Sequence, residues 1–272
     1  MMTSRREIAN IIKYLAVYGL LLVGPPTLLA IGVVANNHLH GGSMNSDMVW
    51  QSPWMTTGLL IGTLLNIVIF MGKRWAVVDL GRIQRNEVWV VIIMSVLLFL
   101  GWCYPEDFLN GLIDIEDNMT AEDYDNMTAG IAGFIDTGIL TPIAEELLCR
   151  GAILGALLRL MPRRPWVAIV TQALIFGLIH MNPVQAVFGG LYGVLLGWLC
   201  WRTASLLPSI VAHVANNSII MLMPDEVDAT LSNLSPTMTS VVIAMSLAIL
   251  VSAICWFKRR YRVTLFSSSV VQ

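Results

Sequence analysis

Charged residues are scarce in this chain of 272 residues: Asp, Glu, Lys and Arg make up 12% of it, whereas hydrophobic residues make up 56%. Soluble globular proteins carry about 25% charged residues. The apolar residues also form long blocks, which the core of a soluble domain does not require. These features exclude an ordinary soluble protein and predict a polytopic membrane protein with one membrane domain over residues 1–272.

Several other signatures are missing. The sequence has no internal repeat, no coiled-coil heptad, no Gly-rich phosphate loop and no basic patch, so no nucleic-acid partner is expected. It has no CxxC pair and no HExxH motif, and no Ser or Cys lies in a nucleophile motif. The four cysteines lie in or at the ends of apolar blocks and indicate small core residues rather than a disulfide framework: Cys103, Cys149, Cys200 and Cys255.

What the sequence does contain is a series of apolar blocks. A helix needs about 20 apolar residues to cross a bilayer. Eight blocks qualify, which predicts an all-α bundle of about eight transmembrane helices. They cover roughly 11–35, 54–72, 88–104, 127–158, 166–182, 184–201, 204–223 and 240–257. The fourth is long, and Thr141-Pro142 predicts a kink in it.

Basic residues predict the orientation, because they are retained on the cytoplasmic side. Of the 16 Lys and Arg, 15 fall at the N-terminus, in alternate loops or after the last block, all on one side of the eight-span arrangement. Both termini are therefore expected to be cytoplasmic. Residues 105–126 of an opposite loop are acidic instead, with Glu106, Asp107, Asp114, Glu116, Asp117, Glu122, Asp123 and Asp125. Arg150, inside the fourth span, is the exception to this pattern.

Ionisable residues at membrane depth are costly and usually mark function or pair with one another. Three predicted helices carry ionisable or other polar side chains at a similar depth, about 16–22 Å from the inner face at 1.5 Å per residue. This set comprises Glu145, His180, His213 and Asn217. We interpret it as one shared site rather than as separate contacts between helices, although polar residues can also join membrane helices.

Helical spacing assigns different surroundings to the two adjacent glutamates. Glu146 and Arg150 are four residues apart and can form an ion pair, whereas Glu145 is turned away by about 100°. Phe176 is likewise four residues before His180. We therefore expect Glu146 and Arg150 to form a structural pair and Glu145 to remain available for chemistry.

The chemistry indicated by this set is peptide hydrolysis. A carboxylate beside an imidazole can activate water and pass its proton to a leaving amine. A second histidine and an asparagine can stabilise a tetrahedral oxyanion. Zinc held by two histidines and one glutamate is an alternative, although asparagine is a weak zinc ligand, so no cofactor is the preferred expectation. A third possibility is a non-enzymatic transporter or scaffold with a Glu–His proton or ion relay.

Three short motifs in order resemble those of the CPBP intramembrane proteases, which include type II CAAX prenyl proteases and bacteriocin-processing proteins. They are EELLCR at 145–150, FGLIH at 176–180 and HVANN at 213–217. The resemblance covers about residues 130–223, within a catalytic core expected at about 127–223. Cys149 stands where the family commonly has an aromatic residue.

The resemblance implies a role for each matching residue. Glu145 would activate water with help from His180, His213 and Asn217 would form the oxyanion hole, and Glu146 and Arg150 would hold the site together. The implied substrate is a peptide or membrane-protein segment within the lipid bilayer. The compact loops favour a multi-pass protein of a bacterial plasma membrane, and nothing in the sequence indicates an oligomeric state.

Overall fold

The computed structural model describes residues 2–40, 53–113, 115–118, 128 and 130–262. Every regular element in these ranges is a helix, and the described residues contain no β-strand. The predicted all-α class is therefore confirmed. Four of the acidic residues predicted for an outer loop lie outside the described residues: Asp114, Glu122, Asp123 and Asp125.

The described ranges contain nine helices, numbered here in chain order. They are α1 (Met2–Leu39), α2 (Pro53–Gly72), α3 (Val88–Ile113), α4 (residues 130–160), α5 (Pro165–Ile179), α6 (Pro183–Thr203), α7 (Leu207–Met221), α8 (Asp225–Ser232) and α9 (Pro236–Arg260). A short 3₁₀ helix, Arg85–Glu87, precedes α3. Helix α3 continues nine residues beyond the end expected at residue 104, because Pro105 is accommodated inside the helix instead of ending it.

Five described segments are long and apolar enough to cross a membrane, so the chain is a multi-pass membrane protein. They are Ser4–Leu39, Trp54–Gly72, Arg85–Ile113, Pro183–Thr203 and Pro236–Arg260. Helix α5 is apolar but shorter, and α7 likewise has 15 residues. At 1.5 Å per residue, 15 residues rise about 22 Å, less than the roughly 30 Å thickness of the hydrocarbon core.

Helix α4 is interrupted by two π-helical stretches, Phe134–Leu140 and Leu147–Ile153, on either side of Thr141–Glu146. The backbone N–H of Thr141 donates to Asp136 O, five residues back, and so bypasses Thr137 O. Pro142 has no N–H to donate to Gly138 O. The region around the predicted Thr141-Pro142 kink thus exposes carbonyl groups to neighbouring helices, and π-helical turns of this kind often occur at functional sites.

Helices α1 and α2 pack closely along their length because glycines of α2 face the backbone of α1. A methyl group added at Gly62 would lie 2.3 Å from Leu21 O, and one at Gly58 would lie 2.4 Å from Pro26 Cα. One turn further along, Asn66 Nδ2 donates to Tyr18 O at 3.3 Å. The two helices are therefore antiparallel, with small residues permitting the close approach.

Candidate active site

Three helices bring the residues of the sequence motifs together in the interior of the bundle. Glu145, Glu146 and Arg150 come from α4, Phe176 and His180 from the end of α5, and His213 and Asn217 from α7. The two glutamates, Arg150, Phe176 and His213 are buried, whereas His180 and Asn217 are partly exposed. The common depth inferred from the sequence thus corresponds to spatial proximity.

Glu146 and Arg150 form an ion pair inside the bundle. Arg150 Nη1 donates to Glu146 Oε1 at 2.7 Å, and both side chains are fully inaccessible to solvent. The guanidinium group also donates to Gly193 O at 3.3 Å and lies 4.1 Å above the Phe176 ring. A charge-assisted hydrogen bond combined with a cation–π contact holds Arg150 in one orientation.

Glu146 has a second partner that the spacing within α4 did not predict. His213 Nδ1 lies 2.8 Å from the same carboxylate oxygen, Oε1. A carboxylate accepts hydrogen bonds, so the ring carries its proton on Nδ1 and turns Nε2 toward Glu145. Glu146 therefore orients a histidine as well as neutralising Arg150.

Glu145 faces both histidines. Its Oε1 lies 3.7 Å from His180 Nε2, and its Oε2 lies 3.6 Å from His213 Nε2. The Nδ1 atom of His180 is held by Phe176 O at 2.8 Å, which leaves Nε2 directed at the carboxylate. These separations exceed those of a direct hydrogen bond, so the two imidazoles face Glu145 without bonding to it directly.

Asn217 makes contacts that follow from the irregular backbone of α4. Its Nδ2 donates to Thr137 O at 3.0 Å, the carbonyl that the π-helical bond of Thr141 bypasses. The neighbouring Ser218 hydroxyl donates to Gly138 O at 2.9 Å, opposite Pro142. Asn217 thus fastens α7 to α4, and since its amide has two N–H groups, one remains for another acceptor.

Aromatic rings enclose the histidines. Phe176 makes edge contacts with His180 and His213, with ring centroids 4.9 and 5.6 Å apart. Tyr192 of α6 contacts His213 at 6.2 Å, and its hydroxyl group donates to Ala212 O at 2.9 Å. The apolar rings restrict solvent access and keep the imidazoles in fixed planes.

Sequence reasoning missed three members of this assembly: Tyr192, Gln172 and Gly193. The buried Gln172 donates to Gly193 O at 2.9 Å, the same carbonyl that Arg150 contacts. The position of Gln172 carried a usable signal, because Gln172, Phe176 and His180 follow one another at four-residue intervals on one face of α5. The positions of Gly193 and Tyr192 gave no such signal, because the neighbouring part of α6 contains no charged residue or histidine.

The arrangement can also be compared with the needs of a metal site. The histidine nitrogens that point away from Glu145 are held by a carboxylate and a carbonyl, as is common for zinc ligands. However, in the described ranges no three or more His, Cys, Asp or Glu side chains form a group that could hold a metal ion.

Comparison with known proteins points to the same part of the chain. Residues 126–219 match the Rce1-like family, described as type II CAAX prenyl endopeptidase Rce1-like. This range contains all three sequence motifs and the contacts between Glu145, Glu146 and the two histidines. Searches of curated proteins and of solved structures find no match. The match over residues 126–219 supports the resemblance to CPBP membrane proteases predicted from the three motifs.

Proposed function

We propose that the protein is an intramembrane endopeptidase that uses water activated by Glu145. The observation that carries this proposal is the pair of histidine Nε2 atoms 3.6 and 3.7 Å from the two oxygens of one buried carboxylate. Water bound beside this carboxylate and the two imidazoles would lie next to a proton acceptor and away from bulk solvent. Such a site supports general base catalysis.

In the proposed reaction, Glu145 takes a proton from water, and the resulting hydroxide adds to the peptide carbonyl carbon. His180 helps to orient the water. His213 and the free N–H of Asn217 donate to the oxyanion, which requires His213 to carry protons on both ring nitrogens. The C–N bond then breaks, and Glu145 passes the proton to the departing amine.

The proposed arrangement in the membrane has eight spans with both termini in the cytoplasm. The shorter helices α5 and α7 and the interrupted helix α4 would then cross the bilayer within the bundle. The distribution of Lys and Arg in the sequence supports this orientation. A multi-pass protein of a bacterial plasma membrane, acting on peptides or membrane-protein segments, is the corresponding proposal for location and substrate.

A reconstituted cleavage assay tests the proposed function. The protein in liposomes is incubated with membrane-anchored peptide reporters, including a prenylated CAAX peptide and its unprenylated equivalent, and new termini are identified by mass spectrometry. We expect cleavage by the wild type and by Glu116→Gln, an exposed carboxylate outside the site. Proton-coupled flux without cleavage of any reporter would favour a transporter instead.

The proposed mechanism needs no metal, which gives a separate prediction. Because Glu145 and the histidines would activate water themselves, cleavage should persist after exhaustive treatment with EDTA and 1,10-phenanthroline. Elemental analysis checks the same preparation, with a known zinc protease as the control for chelation. One zinc per chain, whose removal abolishes cleavage and whose return restores it, would establish the zinc mechanism.

Asn217 and Ser218 allow the oxyanion role to be separated from the structural one. Both fasten α7 to bypassed carbonyls of α4, but only Asn217 is proposed to contact the oxyanion. We expect Asn217→Ala to lower kcat by about 10²–10³-fold, as loss of an oxyanion donor does elsewhere. Ser218→Ala, the matched control, should lower kcat by about tenfold or less. Equal losses of kcat and of thermal stability in both variants would assign Asn217 a purely structural role.

A further inference from the structure

A group of buried polar side chains lies on the α1–α2 side of Glu145, away from the histidines. Thr63 and Asn66 are both 1% exposed, and Asp136 is 4% exposed. The Thr63 hydroxyl lies close to the Asp136 carboxyl group, but within the described residues Thr63 Oγ1, Asp136 Oδ1 and Asn66 Oδ1 make no hydrogen bond of normal geometry. Three neighbouring side chains thus each carry one buried, unpartnered oxygen atom.

Helix packing arranges these side chains in order of depth. Helices α2 and α4 run in parallel, because Gly151 of α4 packs on Ala76 just after the end of α2. Asp136 and Thr63 therefore lie nearer the start of their helices, and Asn66 lies one turn further toward the level of Glu145. Asn66 contacts Tyr18 O, and the charges of Glu145 and Asp136 both act on the Tyr18 side chain. The polar groups thus form a series that runs from Asp136 and Thr63 toward the level of Glu145.

Buried oxygen atoms without partners are expensive, and in proteins they are usually satisfied by bound water. A buried water molecule needs two to four polar partners, which three oxygen atoms supply. A hard cation such as Ca²⁺ or Mg²⁺ needs about six oxygen ligands. Three side-chain oxygen atoms are too few for such a cation, so the group suits water better than a metal ion.

We propose that Thr63, Asn66 and Asp136 hold buried water and supply it, past the Tyr18 hydroxyl group, to Glu145. Each turnover of a hydrolase consumes one water molecule, and the aromatic rings around His180 and His213 restrict solvent on the other side. The water site would therefore form a supply route separate from the face that receives the peptide. The supply step rests on the proposed protease function, whereas water binding does not.

Hydroxyl-radical footprinting tests water binding without any substrate. X-ray pulses generate radicals from bound water, and mass spectrometry measures the labelling of Tyr18. We expect Tyr18 to be labelled in the wild type although it is only 6% exposed. Labelling should fall about tenfold in Thr63→Val and Asn66→Leu, which each remove one hydrogen-bonding partner, and should recover in Thr63→Ser. The control is Ser95→Ala, since the buried Ser95 hydroxyl is already bonded to Val91 O in α3.

Kinetics on a cleaved reporter test the supply step. Thr63→Val should lower kcat about tenfold with an unchanged KM, and Thr63→Ser should restore it. A Thr63→Val protein with reduced Tyr18 labelling but unchanged kcat would rule out the supply of water to Glu145. Wild-type labelling of Tyr18 in Thr63→Val would rule out water binding by the group. If Tyr18 labelling or kcat depends on the Na⁺ concentration, the group binds a cation instead of water. If no reporter is cleaved by the wild type, the protease proposal fails while the footprinting result still decides water binding.

Discussion

Glu145→Gln should lower peptide cleavage by about 10²–10⁴-fold, the usual contribution of a general base. The amide has nearly the same volume as the carboxyl group but cannot accept the proton of water. Since Glu145 forms no ion pair with Arg150, and its contacts with the histidines are 3.6 and 3.7 Å long, the variant should fold normally. Initial cleavage rates and thermal unfolding in detergent measure the two effects on the same preparation.

Glu116→Gln is the control for this experiment, because it makes the same chemical change on an exposed carboxylate. Its cleavage rate should equal that of the wild type. A Glu145→Gln protein that cleaves at the wild-type rate would rule out Glu145 as the base. A variant that fails to fold would instead give Glu145 a structural role that its long contacts do not predict.

Arg150→Ala should have the largest effect on stability. Removing Arg150 leaves Glu146 buried without its counter-ion, and breaking a buried pair in this way costs about 3–5 kcal/mol. It also removes the contacts with Gly193 O and the Phe176 ring. Folded yield, the thermal unfolding midpoint and cleavage should all fall, because Glu146 also orients His213.

Arg159→Ala is the matched control in the same helix. Arg159 pairs with Glu7 at 2.9 Å, but its side chain is 36% exposed, and exposed pairs contribute about 0–1 kcal/mol. The double variant Glu146→Gln/Arg150→Met removes both charges and should recover part of the stability that Arg150→Ala loses. Equal unfolding midpoints for Arg150→Ala and Arg159→Ala would contradict the structural importance of the buried pair.

The sequence predicts those features that depend on local spacing. The contact between Glu146 and Arg150 follows from their separation of four residues in a helix, and the approach of Glu145 to His180 and His213 follows from counting residues from the ends of the spans. The first needs only the helical repeat, which is the same in every helix. The second gives only a common depth, and the shared site was inferred from it because ionisable residues at membrane depth usually mark function or pair with one another.

Features that depend on packing between helices could not be predicted. The bond between His213 and Glu146 depends on the rotation of α7 relative to α4, which no spacing within either helix specifies. Asn217 contacts Thr137 O because the backbone of α4 is π-helical there, and Pro142 indicated an irregularity without its form. The full length of α3 was missed because Pro105, which commonly interrupts a helix, is accommodated inside it.

Labelled water gives the most direct test of the central claim, that water activated by Glu145 attacks the peptide carbonyl. A reporter peptide is cleaved in H₂¹⁸O under single-turnover conditions with enzyme in excess, and both product and enzyme are examined by mass spectrometry. We predict one ¹⁸O atom in the new carboxylate of the product and none in the enzyme peptide containing Glu145. Incorporation of ¹⁸O into Glu145, with ¹⁶O in the new carboxylate, would show covalent attack by the glutamate and contradict the account.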